Sequence, residues 1–202
     1  MKVLIACEYS GTVRNAFLQR GHDAWSCDFL PTDKLGPHIT GDVLKVIGDG
    51  WDLMVAHPPC TYLCNSGVCH LHKSTERWIK LFQGADLFKS LLNSSIPKIA
   101  IENPIQHKYA KQLIGEKQTQ VIQPWMFGHA EQKATCLWLK GLEKLKPTND
   151  VKAEMMKLSK RDRQRLHFLP PSKERWKLRS TTYQGIANAM AEQWGEENGM
   201  DI

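Results

Sequence analysis

Apolar and polar positions along this chain alternate between two periods. Short apolar runs, typical of buried strands, occupy residues 2–6, 23–27, 51–56 and 98–101, with later ones at 120–123 and 136–139. Helical spacing of apolar residues predicts helices at 11–20, 43–47, 75–92, 107–114 and 183–194. The predicted apolar face of the longest helix carries Trp78, Leu81, Phe82, Ala85, Phe88 and Leu92.

This alternation of strands and helices predicts an α/β fold with a mostly parallel, doubly wound sheet. The chain length fits one domain over residues 1–202. Residues 141–179 interrupt the alternation and are rich in Lys, Arg and Pro. We therefore predict that this segment is a small basic insertion or a peripheral arm.

The composition is that of a globular protein, with 42% hydrophobic and 24% charged residues. No apolar run approaches the roughly 20 residues of a membrane span, and the first residues become polar too soon for a signal peptide. Six cysteines in a chain of this length do not indicate a disulfide framework. We expect a cytoplasmic protein with no membrane partner.

The net charge of +6 permits nucleic-acid binding without requiring it. Residues 157–165 concentrate positive charge and include Arg161, Arg163 and Arg165. A run of this kind can contact phosphates, but a solvated helix face explains it equally well.

The two most informative motifs each follow an apolar run. They are His57-Pro58-Pro59-Cys60 and Glu102-Asn103-Pro104. The carboxyl ends of parallel strands are where open α/β sheets bind ligands. Two prolines stiffen the turn before the thiol, and a nearby helix N-terminus is expected to lower the pKa of that thiol. The motifs predict a thiol nucleophile and a carboxylate acid or base in one cleft, with a buried structural cysteine and a surface carboxylate as the plainer alternatives.

A second group of residues suggests a ligand site at the start of the sheet. Gly11 lies in the turn before the first helix, where backbone N–H groups can face a ligand, although one glycine also fits a plain βα turn. Asp28 ends the second strand, where a carboxylate commonly holds ribose hydroxyls. Asp42 either contacts an adenine edge or caps the helix that follows.

Metal-ligand residue types cluster downstream of the thiol motif, at Cys60, Cys64, Cys69, His70 and His72. Their spacing lacks the paired Cys-x2-Cys form that is typical of zinc sites, so we assign no metal. A structural zinc here would make Cys60 a ligand, and the nucleophile hypothesis would then fail.

Together these motifs resemble the DNA cytosine-5 methyltransferases, most closely the small bacteriophage-type members. The resemblance covers about residues 1–141 and resumes near Ser180. The Pro-Pro-Cys turn ending at Cys60, with Gly67 downstream, resembles the nucleophile loop of the family. The Glu-Asn-Pro sequence beginning at Glu102 resembles its base-binding carboxylate motif.

The resemblance implies a Rossmann-like class I methyltransferase fold and transfer of a methyl group from S-adenosyl-L-methionine to C5 of cytosine in DNA. It implies two catalytic residues, Cys60 attacking C6 and Glu102 binding N3. The implied substrate-binding residues are Pro59, Asn103, Lys133, Arg161 and Arg163. The implied cofactor-binding residues are Glu8, Gly11, Asp28, Asp42 and His57.

The chain departs from the family pattern in ways that leave other functions open. Only Gly11 survives of the glycine-rich cofactor loop, Lys133 stands near an expected arginine, and residues 141–179 are too short for a separate target-recognition domain. Duplex DNA, single-stranded DNA and a free cytosine nucleotide are therefore all candidate substrates.

Three further alternatives fit parts of the sequence. A methyltransferase acting on an exocyclic amine also has Pro-Pro after this strand, but it has no use for the thiol of Cys60. A catalytically degenerate protein of the same fold could bind nucleic acid through its basic arm. A homodimer is also compatible with the sequence, and a phage-encoded chain would work in the cytoplasm of its host.

Overall fold

The computed structural model describes residues 1–196, which form a seven-stranded sheet with helices on both faces. The strands are β1 Lys2–Ala6, β2 Asp23–Asp28, β3 His38–Thr40, β4 Leu53–Ala56, β5 Lys98–Pro104, β6 Gln120–Ile122 and β7 Thr135–Lys140. Their order is β3-β2-β1-β4-β5-β7-β6. The first five pair in parallel, and β7 runs antiparallel to both β5 and β6. The predicted Rossmann-like α/β fold with a mostly parallel sheet is confirmed.

Seven α-helices and three 3₁₀ segments connect the strands in the described part of the chain. The α-helices are α1 Thr12–Leu18, α2 Thr75–Leu92, α3 Lys108–Ile114, α4 Lys152–Lys157, α5 Lys160–Arg163, α6 Arg175–Ser180 and α7 Gln184–Gly195. The 3₁₀ segments are Val43–Lys45, Asn65–Lys73 and Pro124–Met126. No helix within residues 1–196 combines the length and apolar character needed to cross a membrane.

The core has two layers because successive strand residues point to opposite faces of the sheet. In β1, Leu4 packs with residues of α2 and α3, while Val3 and Ile5 pack with residues of α1 and α7. All three β1 side chains are fully buried. The doubly wound arrangement thus follows from apolar residues at both odd and even positions of the central strands.

The strand order creates a crevice between β1 and β4. From β1 the chain moves outward to β2 and β3, and it then returns to place β4 on the other side of β1. In open α/β sheets, ligands bind at such a reversal of strand order, outside the carboxyl ends of the strands. The predicted site motifs follow β1 and β4 and occupy the end of β5.

Several predicted elements needed correction. The predicted helix at 43–47 is the 3₁₀ segment Val43–Lys45. The helix predicted at 75–92 has those bounds, but Phe82 is 48% exposed, and Leu91, which was left out of the predicted apolar face, is buried. The strand predicted at 98–101 continues through Pro104, because β7 pairs with it beyond the point where β4 ends. Glu102 and Asn103 therefore lie within a strand, not after one, and the β5–β7 ladder fixes their backbone.

The segment 141–179 contains no β-strand and carries the short helices α4, α5 and the first five residues of α6. Its last part lies against the turn after β1. The ring of Trp176 packs 5.3 Å from that of Tyr9, and Lys177 forms an exposed ion pair with Asp33. The hydroxyl of Tyr9 is also 3.0 Å from that of Ser180. This end of the arm, residues 175–180, is thereby held against the sheet edge.

Candidate active site

A cleft of about 130 Å³ lies at the carboxyl ends of β1, β4 and β5. The side chains that matter for its chemistry are those of Cys7, Glu8, His57, Cys60, Glu102 and Lys133. Both predicted catalytic residues, Cys60 and Glu102, therefore line one cleft. Parallel pairing of β4 and β5 brings their carboxyl ends together, although the two residues are far apart in the sequence.

A tight backbone turn presents Cys60. The carbonyl oxygen of Cys60 accepts hydrogen bonds from the N–H groups of Leu63 and Cys64, each at 3.0 Å. Farther along, a Cβ on Gly67 would come within 2.4 Å of the carbonyl oxygen of Thr61, so only glycine fits there. Pro59 is exposed and lines the cleft beside Cys60. Local backbone hydrogen bonds and close packing at Gly67 thus fix the turn that carries Cys60.

The expected lowering of the Cys60 pKa is wrong. A hydrogen bond to the thiol of Cys64, burial and the charge of Glu102 all raise the pKa of Cys60, and Lys133 opposes them only in part. The pKa of Cys64 is lowered, because Cys60 and the hydroxyl and backbone N–H of Ser66 hydrogen-bond to its sulfur. Cys60 therefore rests as the thiol, and Cys64 is the sulfur of the pair that ionises more easily. The sequence grouped Cys64 with Cys60 only as a possible metal ligand, although its position four residues after Cys60 also indicated a thiol partner.

Glu102 is paired with His57. Nδ1 of the histidine lies 2.8 Å from Oε2 of the carboxylate, and the two side chains are only 11% and 13% exposed. Burial raises the pKa of Glu102, but the hydrogen bond and charge of His57, together with Lys133, lower it further than burial raises it. Glu102 is therefore ionised at rest. One ring nitrogen of His57 is committed to Glu102, and contact of His57 with a cofactor stays a prediction.

Asn103 ties β5 to the turn that carries Cys60. Its Nδ2 donates to the carbonyl oxygen of Pro58 at 3.1 Å, and its Oδ1 is buried without a hydrogen-bond partner within residues 1–196. An unpartnered buried oxygen is costly unless a ligand or water satisfies it. Asn103 thus positions the turn that carries Cys60, and its Oδ1 is left as an acceptor for a ligand or water.

Lys133 lies before β7 and reaches the cleft from the opposite side. Its Nζ donates to the carbonyl oxygen of Arg179 at 2.8 Å, and its charge is felt by Cys60, His57 and Glu102. Arg179 and Ser180 also line the cleft. Lys133 therefore lines the same cleft as Cys60 and Glu102, and its contact with a substrate stays a prediction.

The turn after β1 is built around Glu8. Its carboxylate accepts hydrogen bonds from the N–H groups of Val13 and Arg14, at 2.8 and 3.2 Å, and from the hydroxyl of Ser10. Glu8 thus satisfies the first N–H groups of α1, which otherwise lack partners. It lines the cleft, but its oxygens are largely committed to the protein.

Gly11 is required by a buried arginine that sequence reasoning missed. The residue has φ +67°, and a Cβ on it would lie 2.4 Å from the guanidinium of Arg14. Arg14 is fully buried and donates to the hydroxyls of Ser26 and Thr32 and to the carbonyl oxygen of Lys34. It therefore shapes the loop at residues 30–37 that follows Asp28.

Asp28 and Asp42 lie close to Cys7, beside the cleft and not within its lining. Burial and then the charges of these carboxylates raise the pKa of Cys7 to about 12. Oδ1 of Asp28 accepts from the N–H of Leu30 at 2.9 Å. Oδ1 of Asp42 accepts from the N–H of Leu44 at 3.0 Å, which confirms the capping interpretation of Asp42. Contact of either residue with a cofactor stays a prediction.

The arginines of the basic run are not brought into the cleft. Arg161 is exposed on α5, and Nη1 of Arg163 lies 3.9 Å from the sulfur of Met156. Arg165 forms an ion pair with Glu131 at 2.9 Å. A role for Arg161 and Arg163 in binding DNA stays a prediction.

The residues of the zinc alternative are not gathered into a ligand set. Within residues 1–196, no group of three His, Cys, Asp or Glu side chains has an arrangement that could hold a metal ion. The side chain of His72 instead packs against the rings of Trp78 and Tyr109.

Solved structures to which the chain is similar include a DNA modification methyltransferase encoded within a prophage of E. coli and a methyltransferase of Entamoeba histolytica. The first is 13% identical, with a TM-score of 0.45, over 73% of this chain and 51% of that protein. The second is 14% identical, with a TM-score of 0.46, over 73% of this chain and 57% of that protein. The chain thus spans little more than half the length of each. No protein-family model and no curated protein matches it.

Proposed function

We propose that this chain is an S-adenosyl-L-methionine-dependent methyltransferase that modifies C5 of cytosine in DNA through a covalent adduct with Cys60. The observation that carries the proposal is the presence of Cys60 and Glu102 in one cleft at the carboxyl ends of adjacent strands. A thiol and a carboxylate in this position match the needs of covalent catalysis on a pyrimidine ring.

The residues beside the cleft fit the cofactor. Asp28 ends β2 next to the crevice, and no described residue donates to its second carboxylate oxygen, which leaves that oxygen for ribose hydroxyls. Cys7 has the positive φ of 57°, which is unusual for a residue other than glycine and is often found at functional sites. When bound, the cofactor supplies an electrophilic methyl group.

Cys60 and Glu102 act on the cytosine ring. C5 of cytosine is a weak nucleophile. Addition of the Cys60 sulfur to C6 turns C5 into an enamine-like carbon that can attack the methyl group. The thiol proton of Cys60 has to leave as the C6–S bond forms, and the neighbouring Cys64 sulfur, which ionises more easily, can take it up as a thiolate. Glu102, sharing a proton with the base, bonds N3 as charge develops there. After C5 takes the methyl group and loses its proton, the C6–S bond breaks and Cys60 is regenerated.

The substrate class we propose is polymeric DNA. Lys133 supplies a positive charge beside Cys60 and Glu102, and residues 141–179 add a basic surface on the same domain. In a duplex the cytosine would have to be flipped out of the stack, at a cost of a few kcal/mol. The short arm supports binding through phosphates, which positions the protein without reading sequence.

Nucleoside mass spectrometry tests this function. DNA is taken from cells without cytosine methylation that express the native chain, a Cys60→Ser variant, or a Cys69→Ser variant as an exposed control. We expect 5-methylcytosine with the native and Cys69→Ser chains, and a loss on the order of 10³-fold or more with Cys60→Ser. Undiminished 5-methylcytosine with Cys60→Ser would exclude the covalent mechanism.

The same cells separate the other candidate functions. 5-Methylcytosine in the free nucleotide pool, with none in DNA, would overturn polymeric DNA as the substrate. Absence of modified cytosine from both pools, with retained DNA binding by the purified chain, would instead favour a degenerate binder.

A further inference from the structure

His57 is held at the sheet edge with one ring nitrogen engaged and the other without a protein partner. Nδ1 lies 2.8 Å from Oε2 of Glu102, whereas Nε2 is buried and has no hydrogen-bond partner within residues 1–196. A buried polar atom of this kind is satisfied by a ligand or a water. His57 also lines the cleft, so its ring connects Glu102 to the space in which a ligand binds.

Charged groups from three elements face His57. They are Glu102 on β5, Glu8 after β1 and Lys133 before β7, while Cys60 lines the same cleft from the turn that carries His57. Burial lowers the pKa of His57, but the hydrogen bond and charge of Glu102, with help from Glu8, raise it further than burial and Lys133 lower it. The pKa of Glu102 is lowered in return, so each group favours the charged form of the other, an imidazolium beside a carboxylate.

We propose that His57 is a positioning residue which, through Glu102, supplies the proton that N3 of the target cytosine takes up as Cys60 adds to C6. This inference rests on the function proposed above. It gives His57 a role in proton transfer in place of the cofactor contact that the sequence predicted.

An ionised Glu102 can accept a hydrogen bond but has no proton to give to N3. Formation of the S–C6 bond breaks the C5=C6 double bond, and the displaced electron pair requires a proton at N3. The Nδ1–H bond of His57 breaks as an O–H bond forms on Glu102, and rotation of the carboxyl group presents this proton to N3. His57 is left neutral and Glu102 becomes a carboxylate again. When Cys60 leaves, the N3 proton returns by the same path.

The sign of the pH dependence follows from this proton balance. The working form carries its proton on His57, so turnover falls as the pH rises through the raised pKa of His57. Turnover also falls at low pH, because protonation of Cys64 removes the group that takes up the Cys60 proton as the sulfur adds to C6. The pH profile of kcat is therefore bell-shaped, and His57 sets its alkaline limb.

A His57→Gln variant separates proton supply from simple structural support. The glutamine amide can still donate a hydrogen bond to Glu102, but it has no proton to transfer. Glu102 itself must then carry the proton for N3. Because the pKa of a carboxyl group lies below that of a histidine, we expect the alkaline limb of kcat to move to lower pH by at least about one unit, so that kcat on that limb falls about tenfold. KM for DNA should change less. The control is His70→Gln, at an exposed histidine, which should keep the native profile. A His57→Gln profile that overlays the native one would overturn the proposal.

An NMR titration tests the pair without any methylation. The protein is labelled with ¹⁵N-histidine, and the His57 signal is assigned by its loss in His57→Gln. We expect His57 to titrate above the ordinary range of a histidine, and Glu102→Gln to lower the His57 pKa. Titration of His57 that is unaffected by Glu102→Gln would overturn the proposal even if the native chain methylates DNA. A coupled titration in a chain that leaves DNA unmethylated would support the pair and count against the proposed function alone.

Discussion

Two ion pairs of nearly equal length lie in very different surroundings. His57 and Glu102 are 2.8 Å apart at the sheet edge, with 11% and 13% of their side chains exposed. Arg165 and Glu131 are 2.9 Å apart beside the basic arm, with 53% and 20% exposed. Water screens the second pair, so such pairs contribute little to stability. In the first pair each group shifts the pKa of the other, because little water screens their charges. The two distances are nearly equal, so burial is what distinguishes the pairs.

The same contrast holds for the regions that contain these pairs. Strand ladders and a buried hydrogen bond fix the residues of the cleft, as Asn103 binds the backbone of Pro58. The arm contacts the domain partly through exposed groups, such as the Lys177 ion pair with Asp33. Substitutions in the cleft should therefore change chemistry, and substitutions in the arm should change how DNA is held.

Among the variants considered below, Glu102→Gln should lower the catalytic rate the most. The amide keeps the size of the side chain but removes the charge that His57 and Lys133 face. We expect kcat to fall by about 10²- to 10⁴-fold, the range for loss of an acid–base group. Single-turnover methyl transfer to DNA measures the effect. The control is Glu116→Gln, at an exposed glutamate. Equal rates for the two variants would remove Glu102 from the chemistry.

Asp28→Ala should show whether the part of the sheet edge next to β1 holds the cofactor. Loss of hydrogen bonds to a charged group typically costs about 1.5–3 kcal/mol, so the affinity for S-adenosyl-L-methionine should fall by roughly ten- to a hundredfold. Isothermal calorimetry measures it. Asp49→Ala, at an exposed aspartate, serves as the control. Unchanged binding by Asp28→Ala would require a different cofactor position.

Arg161→Gln with Arg163→Gln should have the smallest effect of these variants and should act on DNA binding alone. Each lost phosphate contact lowers the slope of log K against log salt by about 0.9 on duplex DNA. We therefore expect weaker binding to all sequences, a smaller slope and an unchanged rate at saturating DNA. Lys45→Gln with Lys117→Gln removes the same charge from exposed positions elsewhere. If both double variants give the native slope, the run is an ordinary solvated surface.

Much of the fold could be predicted because it depends on local patterns. The apolar runs gave β1, β2 and β4 to within one or two residues, and the helical spacing gave the bounds of α2. The three-residue strand β3 was missed because so short a segment carries little periodicity. The extent of β5 was underestimated because its last three residues are held by pairing with β7, a strand distant in the sequence.

The sequence by itself determined which chemical groups follow each strand, since Cys60 and Glu102 are placed by their distance from apolar runs. Only the tertiary structure decided their protonation. The pKa of Cys60 depends on Cys64 and on a carboxylate from another strand, and that of Glu102 depends on His57. Burial and charge act through space, so groups far apart along the chain set these values only after the sheet has brought them together.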